Sequence, residues 1–145
     1  MDSVVLNPRL LLIEDDGDRI AVFSKWMENT EFVLLVARSA GQALGLLRRD
    51  GVSVIAGVLL DHDLTESTIT DRDKSMSTSD VLPMLASRLR RTVPILIHSH
   101  NQSKPIEMQR FLEVSGFSVT RIRFAALDAY RFCDWLDEVR DCLDL

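Results

Sequence analysis

The chain is short of cysteine, has no long apolar run and carries no surplus of positive charge. Each shortage closes off a class of function. Its two cysteines, Cys133 and Cys142, lie nine positions apart in one expected helix, on opposite faces. They cannot bridge each other in a straight helix and lack metal-ligand spacing, so free thiols are expected. No apolar stretch approaches the roughly 18 residues that a membrane helix needs. The N-terminus also lacks the basic, apolar, small-residue order of a signal peptide, so the expectation is a cytoplasmic protein with no membrane association. A net charge of −5 argues against general binding of polyanions such as DNA. Local basic clusters at Arg48-Arg49, Arg88 with Arg90-Arg91, and Arg121 with Arg123 read mainly as solvated faces. With 145 residues, no internal repeat and no linker composition, the expectation is one domain spanning residues 1–145.

What the chain does have is a regular alternation of apolar runs and helical patterns. Arg9 to Ile13 is a continuous apolar run closed by Glu14-Asp15-Asp16, followed by a helix from about Asp18 with Ile20, Phe23, Trp26 and Met27 at helical spacing. Phe32 to Ala37 is a second strand, and Ser39 caps a helix that Gly51 ends. Val54 to Leu60 is the third strand, followed by a polar insertion over residues 65–79 and a helix from about Asp80. Pro94 to Ile97 is a fourth strand ending in His98-Ser99-His100-Asn101, and Pro105 opens a helix stopped by Gly116. Ser118 to about Arg123 and Leu127 to Leu143 complete the pattern as strand and helix. Five strands alternating with five helices predict a doubly wound α/β fold. Its five-stranded parallel sheet would be covered on both faces, in the flavodoxin-like strand order 2-1-3-4-5.

Three strands in this reading end in polar groups at the carboxyl edge, where ligands of open α/β sheets sit. The segment Asp61-His62-Asp63-Leu64 closes the third strand. Together with Glu14, Asp15 and Asp16 it gathers carboxylates that repel one another unless a cation or protons compensate. Hard oxygen ligands with room for water suit Mg²⁺ or Mn²⁺. Asp18, and in part Asp16, read more simply as helix-start residues favoured by the dipole. All three histidines of the chain, His62, His98 and His100, fall at the same edge. Imidazole is the side chain best suited to move a proton near neutrality.

On these residues the whole chain resembles a receiver domain of two-component response regulators. The resemblance rests on the acidic group after strand one, the aspartate ending strand three and a hydroxyl residue ending strand four. It implies that Glu14 and Asp15 form the metal-binding acidic pair and that Asp61 is the phosphoacceptor and metal ligand. It further implies that Asp63 lends its backbone carbonyl to the metal and that Ser99 is the switch hydroxyl. Arg123 stands where receivers carry a lysine, Phe124 where they carry proline, and Thr120 at the aromatic switch position. A guanidinium can still hold phosphate, and bidentately.

The pairing of Asp61-His62-Asp63-Leu64 with His98-Ser99-His100-Asn101 also resembles the divergent cyclic-phosphate-processing receiver domains. That resemblance implies action on cyclic phosphate ends of RNA or nucleotides in bacterial RNA repair. It points to metal-dependent phosphodiesterase chemistry in which Glu14, Asp15, Asp61 and Asp63 hold Mg²⁺ or Mn²⁺. His62 and His98 would then be general acid and base, with His100 able to replace either, while Ser99, Asn101 and Arg123 bind phosphate. The 65–79 loop is read either as a lid or as a plain surface insertion. Two alternatives stand beside this reading. One is a stand-alone receiver phosphorylated on Asp61 by a histidine kinase in a phosphorelay. The other is a degenerate receiver that serves only as a protein-interaction module.

Overall fold

The computed structural model describes residues 7–49, 55–61, 78–99 and 105–143. Five strands run in chain order: β1 (Arg9–Ile13), β2 (Val33–Ala37), β3 (Ile55–Asp61), β4 (Ile95–Ser99) and β5 (Val119–Arg123). The helices are α1 (Gly17–Trp26), α2 (Ala40–Arg48), α3 (Thr78–Arg88), α4 (Pro105–Val114) and α5 (Ala129–Leu143). A 3₁₀ turn over Phe124–Ala126 follows β5. All strand pairings are parallel, in the order β2-β1-β3-β4-β5. The doubly wound fold expected from the alternation is the observed one.

Period-two alternation along each strand sorts the core into two layers. Leu11 and Ile13, Val58 and Leu60, and Ile95 and Ile97 pack under α2, α3 and α4, meeting Ala43, Leu47, Leu85 and Leu112. Leu10, Leu12, Leu59 and Leu96 face the other way and pack with Phe23 of α1, Met27 just after it, and Phe132, Trp135, Leu136 and Val139 of α5. A side chain would not fit at position 57. A Cβ there would lie 2.9 Å from Trp135 Cη2 and 3.0 Å from Leu10 Cδ2. Gly57 thus lets the α5 indole lie directly on the central strand.

Element ends differ from the sequence reading in ways that bear on the site. α1 starts at Gly17, one residue early, because the Asp16 carboxylate accepts from the backbone N–H groups of Asp18 and Arg19 and so caps it. β3 runs on to include Asp61, and β4 runs past Ile97 through His98 to Ser99. The ladder holds these polar residues because Asp61 and His98 are in register with each other. α3 begins at Thr78, so the last two residues of the expected 65–79 loop belong to a helix. Asp80 lies in its first turn, where the helix dipole favours an acid. Gly51 and the rest of that loop lie outside the described residues.

Candidate functional site

The register of the sheet assembles the site. Ile13 pairs with Leu60, so Glu14, Asp61 and His98 form one row across β1, β3 and β4. Leu12, Leu59 and Leu96, each two residues earlier, belong to the layer under α1 and α5. The polar row therefore emerges on that same face. All three side chains are buried, and one ligand atom from each lies within 4.8 Å of the other two. The sheet thus brings Glu14, Asp61 and His98 together at its carboxyl edge.

Glu14 is the hub. Its Oε2 accepts the backbone N–H groups of Asp15 at 3.0 Å and Asp16 at 3.1 Å. Its Oε1 lies 3.0 Å from His98 Nε2 and 3.3 Å from Arg19 Nη1. Burial pushes the Glu14 carboxyl up, but hydrogen bonding with His98 and Asp61 and the Asp16 backbone N–H outweigh it, leaving a pKa of about 2. An ionised carboxylate only accepts, so His98 donates from Nε2 and its other ring nitrogen, Nδ1, carries the lone pair. Nδ1 has no hydrogen-bond partner among the described residues. Burial pushes the His98 pKa down, the Glu14 carboxylate opposes that shift, and Arg19 adds to it. The lowered pKa favours the neutral imidazole, which is wedged between Phe23 (centroids 4.9 Å apart) and Phe124 (6.3 Å).

Arg19 is a member of the pocket that the sequence alone does not single out. Its guanidinium reaches back from the first turn of α1, with Nη1 3.3 Å from Glu14 Oε1 and 3.6 Å from Asp61 Oδ2, and its Cζ 5.5 Å over the Phe124 ring. A signal was present: a cation in the first turn of a helix opposes the macrodipole and needs a local reason to be there. The four acids in the five residues before it supply that reason.

The remaining candidates divide in two. Asp15 is buried beside Glu14, and its carbonyl oxygen accepts from Arg38 Nη2 at 3.3 Å. Ser99 ends β4 in register with Arg123, which is exposed at the end of β5. These two positions fall one residue beyond the His98–Ile122 pair. His62, Asp63, His100 and Asn101 lie outside the described residues.

Two buried carboxyl groups and one imidazole, with the Arg19 guanidinium beside them, are a set that could hold a metal ion. A buried excess of acid over base of this kind is what a metal ion relieves.

A parallel sheet ordered 2-1-3-4-5 with an acidic pocket at the carboxyl ends of β1 and β3 is the architecture of a receiver domain. The model of the family described as the cyclic-phosphate processing receiver domain matches residues 9–114, and the chain belongs to that family. Solved receiver structures share the fold. A CheY-like response regulator receiver domain from Methanospirillum hungatei superposes with a TM-score of 0.68 at 15% identity, over 94% of this chain and 97% of that one. The non-phosphorylated HemR receiver domain from Leptospira biflexa gives 0.65 at 19% identity, over 91% and 93%. The receiver domain of a sensor histidine kinase from Pseudomonas aeruginosa, which holds a magnesium ion in its active-site cleft, gives 0.66 at 14% identity, over 91% and 96%. No curated protein sequence matches the chain. Among the described residues, no helix is long and apolar enough to cross a membrane.

Proposed function

We propose that this chain hydrolyses a cyclic phosphodiester at an RNA end or on a nucleotide, using the pocket around Asp61. The observation that carries the reading is the Glu14–His98 pair, a neutral imidazole held by a buried carboxylate beside Asp61. A phosphoacceptor needs no such group. A diester hydrolase does, because a water must lose a proton and the leaving alkoxide must gain one.

Glu14, Asp15, Asp61 and Asp63 would hold Mg²⁺ or Mn²⁺, and a cation bound there supplies polarisation of a phosphoryl oxygen. Glu14 fixes the tautomer of His98 and would steady the imidazolium that forms when Nδ1 takes a proton, as a carboxylate does for the histidine of a hydrolase triad. A water oxygen then bonds to phosphorus, one ring P–O bond breaks, and the released alkoxide takes a proton from the second histidine, His62 or His100. Ser99, Asn101 and Arg123 are assigned to the phosphate oxygens. The family's description and the Pseudomonas domain's magnesium support these assignments by likeness.

A second reading is favoured by the placement of Asp61 at the end of β3, next to strand ends that carry Ser99 and Arg123. It makes Asp61 the phosphoacceptor of a signalling relay served by a histidine kinase. Two incubations with Mg²⁺ separate the readings, one with acetyl phosphate and one with a 2′,3′-cyclic nucleotide. Each is run on the protein and its Asp61→Asn and His98→Ala variants. Cyclic-phosphate turnover that both substitutions abolish supports the hydrolase. A hydroxylamine-sensitive phosphoprotein without such turnover supports the relay, and silence in both leaves an interaction module.

A further inference from the structure

Arg19 occupies the oxygens that the metal reading needs. Its Nη1 lies 3.3 Å from Glu14 Oε1 and 3.6 Å from Asp61 Oδ2, and Nε is 3.9 Å from Asp16 Oδ2. The side chain is only 14% exposed, and its guanidinium rests over the Phe124 ring. Two backbone N–H groups, His98 and Arg19 all donate to Glu14. The two backbone donors are built into the turn that starts α1, and His98 is packed between rings. Arg19 hangs on a flexible side chain and is the only one of the four that can leave without unfolding an element. A guanidinium and a divalent ion cannot share these oxygens, because their like charges would stand within a few ångströms in a poorly screened pocket.

We propose that Arg19 is a displaceable internal cation. It neutralises Glu14 and Asp61 while no divalent ion is bound and must release them for one to bind, so it sets the metal affinity of the pocket. This rests on the metal reading of the site. An occluded state occupied about nine-tenths of the time weakens the apparent affinity about tenfold. Removing Arg19 removes that competition. It also leaves two buried carboxyl groups without their guanidinium, so the metal-free protein loses stability that the ion then restores.

The test is Mn²⁺ binding by isothermal titration calorimetry, with thermal unfolding, on the wild type, Arg19→Gln and Arg38→Gln. Arg38 is the control, because its replacement loses the same charge nearby while its guanidinium donates to the Asp15 carbonyl oxygen. Arg19→Gln is expected to bind Mn²⁺ about tenfold more tightly, to melt lower without metal and to gain more from saturating Mn²⁺ than the wild type. Arg38→Gln is expected to stay within about twofold of the wild type. Unchanged or weaker binding by Arg19→Gln, with the wild type still binding, overturns the proposal alone. Equal tightening by Arg38→Gln also overturns it, since a general charge effect would then suffice. Failure of every variant to bind Mn²⁺ overturns the metal reading and the proposal with it. If Arg19→Gln does not fold, the Arg19 Nε–H resonance of the wild type is followed by NMR during Mg²⁺ titration. A shift that saturates with the metal is expected, and a resonance that does not move refutes displacement.

Discussion

Replacing Glu14 with glutamine tests the view that this carboxylate organises the site instead of merely crowding it. The amide keeps the shape but turns one accepting oxygen into a donor. One pair of its present donors, either the Asp15 and Asp16 backbone N–H groups or His98 with Arg19, then faces an N–H group. Losing one partner of a buried charged cluster costs about 3–5 kcal/mol. The depression of the Glu14 pKa from 4.5 to about 2 corresponds to about 3 kcal/mol, which agrees. Its sign fixes a pH window. A carboxyl whose pKa is lowered by folding contributes fully above pH 4.5, and the contribution is lost as pH falls towards 2. Urea unfolding in EDTA should therefore show Glu14→Gln about 3 kcal/mol less stable than the wild type at pH 7, or about 6–12 °C lower in Tm. At pH 3 the gap should shrink to about half. A variant as stable as the wild type at pH 7 would refute the reasoning, because the cost of burying the Glu14 carboxylate would then outweigh its hydrogen bonds.

Other substitutions test the scaffold. Gly57→Ala should cost about 1–3 kcal/mol, because the new methyl meets Trp135 and Leu10 at about van der Waals overlap. Denaturant unfolding checks this, and adding Trp135→Phe should recover part of the loss. Gly116→Ala should cost about 1 kcal/mol or more, since Gly116 closes α4 at φ +104° with Arg91 Cδ only 3.3 Å from a Cβ. Arg140 binds Glu31 through Nε and Nη2 at 2.7 and 2.8 Å and holds its carboxyl at a pKa of about 2. Glu31 is 48% exposed, so Glu31→Gln should cost no more than about 1 kcal/mol at pH 7. That difference should fade below pH 4.5 and be gone near pH 2, as unfolding at the two pH values would show.

That Glu14, Asp61 and His98 come to one sheet edge was legible in the sequence because each directly follows an apolar strand run. The parallel order was legible for the same reason: β3 and β4 are apolar on both faces, as only a sheet covered on both sides requires. The ends of β3 and β4 were not legible. Charge was read as stopping a strand, whereas here Asp61 and His98 continue the ladder because each meets a polar neighbour across it. Arg19 carries only a weak signal in the sequence, its place in the first turn of α1, because an arginine there can face solvent or a pocket. Only the fold brings it over Glu14 and Phe124. Phe23, which packs against His98, has in the sequence only the helical spacing of an ordinary core residue.

The most direct test of the central claim is ³¹P NMR of a 2′,3′-cyclic nucleotide incubated with the protein and Mg²⁺. The expected result is conversion of the cyclic diester signal to a monoester, with no conversion by His98→Ala or Asp61→Asn. A cyclic signal that persists under the wild type, while acetyl phosphate places a phosphoryl group on Asp61, would contradict it.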